Sequence, residues 1–313
     1  MSNTNSVQAT KVTQADPVTT KVTQALPLII DSNSPVTSFS KLVIEDGGYI
    51  DISINCNFSC DTVIIHNDDD TPPGGNISPR SAILTIHGTD GANGSKIATL
   101  PQATAGNNGK NLQCDSAGGA IVHYPTGGSR GADGLTGVKG LAGSNADVNG
   151  PTVTVSIVSL SGTLTVLNCG GNGGKGGDGQ IGQQGGNGGK GGNGGKCGAM
   201  QADGAKGGDG GNGGNGGEPG NGGNGGNGAF TTITYTAKDR DSIVIGSKQV
   251  GIGGDTGGIG VAGAAGAAGE PGGDRGTRGN PGKAGNNGTT GGSIKGRDAA
   301  GNGKLTINGI EVV

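Results

Sequence analysis

The sequence predicts an all-β protein with essentially no α-helix, in which a region of short antiparallel strands, a sandwich or a solenoid, adjoins a Gly-rich bundle of antiparallel polyproline II helices. Three observations carry that expectation. Gly recurs at every third position from Gly170 to Gly194, short segments alternate apolar and polar residues with period two, and nowhere do apolar residues recur at helical spacing.

The Gly tract runs from Cys169 to Gly228, mostly as Gly-Gly-X with X Asn, Lys or Asp. A period of three fits neither an α-helix nor a strand, but it is the period of polyproline II. A flexible linker has no need of phase, whereas backbones in contact need Gly wherever they touch. Collagen carries about 15–20% Pro or more, and this chain has 12 Pro in 313 residues. The tract reads as interrupted at Gln180–Gln184, Cys197–Asp203 and Glu218–Pro219, which predicts about four short helices with three loops between them.

Composition narrows the rest. With 75 Gly, no Trp, three Tyr and three Phe, an ordinary core cannot extend through most of the chain. The net charge of −3, with no basic patch and 2% aromatic residues, argues against nucleic-acid binding. No run of eighteen apolar residues is present, so no membrane span is expected. The start, MSNTNSVQATKVTQ, lacks a basic region followed by an apolar one, so no standard signal peptide is read there.

Residues 1–25 read as a flexible arm, with KVTQA at 11–15 and again at 21–25, available for attachment or homo-oligomerisation. Residues 26–125 read as a β-rich domain. Ile50, Ile52 and Ile54 share one face of a strand, Leu42–Ile44 precedes it across Glu45-Asp46-Gly47-Gly48 as a hairpin, and 62–66 and 82–87 add two strands. Residues 126–313 read as the bundle with interposed hairpins: Thr152–Val158 with Thr163–Asn168, Phe230–Thr236 with Asp241–Ile245, and Leu305–Asn308 with Ile310–Val313 across Asn308-Gly309. The segment 258–269, GIGVAGAAGAAG, carries Ile259 and Val261 and is expected to cover an apolar β-face.

Motifs for chemistry are sparse. GxGxxG recurs by chance in so much Gly, and no lysine completes GxxxxGK[ST]. His66, His87 and His123 stand near strand ends without metal-ligand spacing, and Asn67–Asp70 reads as a solvated acidic turn before Thr71-Pro72-Pro73. Among Cys56, Cys60, Cys114, Cys169 and Cys197, either Cys56 with Cys60 or Cys169 with Cys197 would bridge in an oxidising setting; otherwise all are small thiols. Thr alternates at 152 and 154, at 163 and 165, and at 232, 234 and 236, as on the solvated side of a strand or on an ice-binding face. No enzyme, cofactor or metal is expected.

At 170–228 and 251–291 the chain resembles proteins built on polyglycine/polyproline II bundles: the Gly-rich antifreeze proteins of snow fleas, the glycine-rich repeats of mycobacterial surface proteins, and the receptor-binding tips of T-even-type phage long tail fibres. The likeness rests on Gly phasing and covers about half the chain. In the phage adhesins the segments between Gly-rich motifs contact the receptor. That resemblance implies binding by Gln180, Ile181, Gln183 and Gln184, by Ala199, Met200, Gln201 and Asp203, and by Glu218 and Pro219. The function it implies is an extracellular, virion- or cell-surface adhesive protein recognising a cell-surface receptor or glycan. An ice-binding protein and a secreted toxin or defence protein are the alternatives.

Overall fold

A computed structural model describes residues 19–45, 47–66, 82–238, 240, 242–273, 275, 277, 286, 288–289, 293–301 and 303–313. The acidic segment 67–70, the turn after it and residues 1–18 of the expected arm lie outside the described residues. The described residues form strands and no helix. In chain order these are β1 (Thr19–Val22), β2 (Leu28–Ile30), β3 (Ser38–Ile44), β4 (Tyr49–Ile52), β5 (Cys56–Ile65), β6 (Ala82–His87), β7 (Gln113–Cys114) and β8 (Ile121–His123). There follow β9 (Thr152–Ser161), β10 (Thr163–Cys169), β11 (Gly195–Cys197), β12 (Met200–Ala202), β13 (Phe230–Ala237), β14 (Ile243–Gln249), β15 (Lys304–Ile307) and β16 (Ile310–Glu311).

Two main sheets hold most of them. The first has the order β1-β3-β5-β9-β13-β15-β16 and the second β14-β10-β6-β4-β2. Successive strands therefore alternate between sheets, and each pairs in parallel with the strand one coil away, as Phe58 does with Val155 and Leu84 with Val166. This corrects the antiparallel expectation. Period-two alternation buries one face of a strand whichever way its neighbour runs, so it does not report direction.

The hairpins expected at 42–55, 152–168 and 230–245 are corrected with it, because their halves lie in different sheets. Val153, Val155, Ile157 and Leu160 of β9 and Leu164 and Val166 of β10 are all buried, so the two strands pack face to face across a core. Between them Gly162, at φ +97°, turns the chain in one residue, and a Cβ there would come within 2.9 Å of the Ile65 Cβ. Only the last expected hairpin forms. β15 and β16 pair antiparallel across Asn308 and Gly309 at φ +46° and +78°, the left-handed pair a two-residue turn requires.

One core runs from Val22 to Leu305. It includes residues on both sides of position 126, and β5 pairs with β9 across that position. Within it Asn168 is fully buried; its Nδ2 donates to the Ala229 carbonyl at 2.8 Å and its Oδ1 accepts from the Thr231 hydroxyl at 3.3 Å.

The Gly-rich chain forms straight segments, here called ribs, that continue the sheets. Ribs 1 (88–112), 3 (170–194) and 5 (251–272) leave β6, β10 and β14 of the second sheet as one layer. Ribs 2 (126–150), 4 (203–228) and 6 (described within 286–301) return into β9, β13 and β15 of the first sheet as the other. Ribs of one layer run parallel, as in Gly91 N–H to the Asn172 carbonyl and Gly109 N–H to that of Lys190. Ribs of opposite layers run antiparallel, as in Gly208 N–H to Gly189 and Gly223 N–H to Gly174.

One triplet shows how the backbone is satisfied. Gly173 donates to the Ile252 carbonyl of the next coil at 2.8 Å, and Gly174 to the Ser144 carbonyl of the other layer at 2.9 Å. Lys175 donates to Oδ1 of Asn93 in the preceding coil at 2.8 Å. All three N–H groups are used. The third bond explains the Asn and Asp at X: Asn172 donates its N–H to Asp90 Oδ1 at 2.6 Å, and its own Oδ1 accepts the N–H of Ile252 at 3.0 Å.

The tract 169–228 is two ribs and one turn, not four helices with three loops. The ladder continues through Gly179, Gly182 and Gly185 without a break, and Gln180 and Gln183 merely replace the second Gly of their triplets. They face Ser95–Gln102 of rib 1, which has no Gly; there Gln180 and Gln183 donate from Nε2 to the Ala98 and Pro101 carbonyls at 2.6 and 2.8 Å. The segment 258–269 does not cover the β-face. It lies in rib 5, hydrogen-bonded to ribs 3 and 4, with Ile259 and Val261 exposed.

One Gly per triplet is required where the two layers touch, as at Gly134, whose Cβ would lie 2.0 Å from the Gln183 carbonyl oxygen; a second is required only where a rib has a preceding neighbour in its own layer. Cβ atoms on Gly214, Gly217 and Gly220 of rib 4 would lie 1.9–2.0 Å from the carbonyl oxygens of Leu135, Val138 and Leu141. Rib 2 has no earlier rib in its layer, so these three side chains occupy the same triplet position and stand in the open.

Candidate functional site

Away from the sheets, ribs 1 and 2 are joined by one short hairpin and ribs 3 and 4 by another. β7 and β8 pair antiparallel around a turn at 115–120, where Asp115 accepts the Gly118 N–H on its carbonyl and the Gly119 N–H on Oδ1, both within 2.9 Å. Gly118 takes φ +72°. β11 and β12 pair antiparallel around Gly198, at φ +57°, and Ala199. A Cβ on Gly198 would lie 3.1 Å from the Gly119 carbonyl, so the two turns touch.

A disulfide between Cys114 and Cys197, with Cα atoms 5.5 Å apart, staples the hairpins. Neither pairing considered from the sequence forms. Cys56 and Cys60 lie four residues apart along β5, roughly 13 Å at about 3.3 Å per residue, beyond the reach of a bridge. Cys169 lies at the sheet end of rib 3 and Cys197 at its far end. Burial pushes the thiols of Cys56, Cys60 and Cys169 up from their ordinary values.

The two hairpins and the residue after the first carry exposed apolar side chains: Tyr124 at 65% exposure, Val122 at 51% and Met200 at 43%. Ala199, Gln201 and Asp203 are exposed beside Met200, and Asp203 faces Arg275 at 3.6 Å. Of the residues selected from the sequence, the structure brings only this group together. Gln180 is buried and both Gln180 and Gln183 are committed to rib contacts, whereas Ile181 and Gln184 lie exposed midway along rib 3. Glu218 faces Lys139 at 3.8 Å, and Pro219 is buried with its carbonyl accepting the Ser293 hydroxyl.

Sequence reasoning missed the first hairpin of the tip. Its signal was present in Asp-Ser-Ala-Gly-Gly at 115–119, a turn composition between Gln-Cys and Ile-Val-His. The partner of Cys114 had a signal too: a separation of 83 residues, close to the 82 between Asn93 and Lys175 and the 80 between Asp178 and Gly258, which is the length of one coil.

One ion pair lies near the junction of sheets and ribs. His87 Nε2 approaches Asp51 Oδ1 at 3.3 Å, and His87 Nδ1 bonds the Gly88 carbonyl at 2.8 Å. Chiefly through the Asp51 carboxylate, the imidazole is raised to about 9 against the opposing cost of burial, so it is charged at neutral pH. At 3.3 Å the contact is a poorly aligned hydrogen bond, reinforced by the charge of the carboxylate. Among the described residues no group of three or more His, Cys, Asp and Glu is placed to hold a metal ion, and no helix is long and apolar enough to cross a membrane.

No family model and no curated protein matches the chain. Among solved structures, a springtail antifreeze protein from Granisotoma rainieri, a nine polyproline type II helical bundle, aligns at 23% identity over 46% of this chain and 94% of that chain, with a TM-score of 0.10. A superposition at that score carries no argument about fold or function.

Proposed function

We propose that this is a non-enzymatic, extracellular or surface-associated adhesive protein. A rigid Gly-rich bundle holds the two-hairpin tip away from the sheets for contact with a cell-surface receptor. The observation that carries the reading is the Cys114–Cys197 staple, which joins the two hairpins that bear the exposed Val122 and Met200, with exposed Tyr124 following the first, at the far end of the ribs. Large apolar and aromatic anchors on a preorganised surface lose little entropy on binding. A disulfide also suits an oxidising compartment.

In this reading the ribs are polyproline II helices and the two sheets a solenoid that they extend. The hydrogen-bond repeat of three supports it. At about 3.1 Å per residue, a rib of some 24 residues spans roughly 75 Å. The test is flow cytometry of labelled protein on a panel of intact bacterial and animal cells. Wild type is expected to stain at least one, and Tyr124→Ala with Met200→Ala to reduce that staining at least tenfold; equal staining by the folded variant defeats the reading.

Ice binding is the second reading, favoured by the outer face of the first sheet. There Ser38, Ser59, Ser156 and Thr234 stand in register across four strands, and Asn57, Thr154, Thr232 and Thr306 form a second such row. Strand spacing puts neighbouring hydroxyls about 4.8 Å apart. Thermal hysteresis distinguishes this reading, and its absence at high protein concentration removes it.

A further inference from the structure

The first five strands carry no ribs, so the sheets overhang the rib layers on that side, and a hollow of about 660 Å³ lies in the corner of the step. It is bounded by 53–55 between β4 and β5, by the start of rib 1 at Gly88 and Thr89, and by the end of rib 2 at 147–152. We infer that this corner binds a neutral saccharide unit, held by Asp147, Asn55, Asn149 and the hydroxyls of Ser53, Thr89 and Thr152.

The inference rests on polar groups that the fold leaves unused. Asn55 Oδ1 accepts the Thr152 N–H at 2.7 Å, and Asn149 Oδ1 accepts from Asn227 Nδ2 at 3.4 Å, which leaves both Nδ2 groups turned to other use. The Asp147 carboxylate and the three hydroxyls have no hydrogen-bond partner among the described residues. One anionic acceptor, two amide donors and three hydroxyls therefore line one concave site of ligand-binding size.

The same inventory decides among ligand classes. Among the described residues no Lys or Arg lines the hollow, so a phosphate, sulfate or acidic sugar would meet only the Asp147 charge there. No aromatic ring among the described residues lines it, and polar groups dominate its wall, which disfavours nucleobases and lipids. A neutral pyranose offers hydroxyls that both donate and accept, and its C–H face suits Ile54, which packs on the core, and the buried Pro151. Without aromatic stacking a single sugar binds weakly, with a Kd on the order of 1 mM.

This site is separate from the tip and does not depend on it. The test is an amide NMR titration of the full chain with the methyl glycosides of glucose, galactose and mannose. Saturable shifts confined to 53–55, 88–89 and 147–152 are expected for at least one glycoside. Asp147→Ala is expected to raise Kd at least about tenfold, through loss of a hydrogen bond to a charged group, and Asp147→Asn, which keeps the shape, to raise it less. Met200→Ala should leave it unchanged. No saturable shift with any of the three, shifts elsewhere only, or wild-type binding by folded Asp147→Ala each overturns the site, while cell staining by the tip variants reports on the adhesive reading alone.

Discussion

Gln183 and Leu135 hold each other twice: the Gln183 N–H donates to the Leu135 carbonyl at 2.9 Å, and the Leu135 N–H donates to Gln183 Oε1, also at 2.9 Å. The side chain then reaches on to the Pro101 carbonyl, so one residue joins three ribs. Gln180 repeats the arrangement with Val138 and Ala98. Truncating either leaves a backbone N–H and a carbonyl without their partners, and Gln180→Ala or Gln183→Ala is expected to cost about 1–3 kcal/mol. Urea unfolding measures it, with exposed Ile181→Ala, expected within about 0.5 kcal/mol of wild type, as the control.

Glycines differ in what they carry. Gly214→Ala would set a Cβ 1.9 Å from the Leu135 carbonyl oxygen, and two hydrogen-bonded backbones cannot yield that much without losing their ladder. It is expected to destabilise by about 3 kcal/mol or more. Gly119→Ala, with nothing within 4 Å of its Cβ, is expected to change stability by less than about 0.5 kcal/mol. Comparable thermal midpoints for the two variants would contradict the packing.

Stability should fall in alkali through His87. Its folded value, about 9, lies above the ordinary 6.5, so the folded state binds the proton more tightly. The contribution is complete below about pH 6.5 and is lost as pH rises through 9. Because the pair is only partly buried, its worth is about 1 kcal/mol after solvent screening. His87→Gln should flatten that part of the stability profile, measured by urea unfolding between pH 6 and pH 10; an unchanged slope would refute the assignment.

Reducing Cys114–Cys197 opens a closure 83 residues apart in sequence, which the chain-entropy relation values at up to about 4–5 kcal/mol. A lower thermal midpoint in reductant is expected, with sheet content retained below it. Hydrogen exchange should accelerate first at 113–124 and 195–202, and uniform acceleration along the ribs would show that the staple does more than fix the tip.

The parts of this fold legible in the sequence are those written in local period. Ile50 and Ile52 alternate with Asp51 as a strand must, the glycines of rib 3 keep their phase, and Asn308-Gly309 names its own turn. Strand direction was not legible, because the inward face of β9 reads the same beside β5 or beside β10. Nor was the role of Gln180 legible, since it answers a missing Gly about 80 positions earlier in rib 1. The interruption of the ribs at Met200, Gln201 and Asp203 was legible because a turn breaks the Gly phase there; the hairpin at 113–123 went unread because its strands are two and three residues long.

Leu135, Val138 and Leu141 give the stack a first course. A coil duplicated within the chain could be laid after rib 2, where its glycines would meet carbonyls as those of rib 4 do. Laid before it, the same coil would strike three side chains that leave no room for a backbone. Lengthening of this architecture by internal duplication is thus open on one side and barred on the other, so these ribs define which end is the beginning.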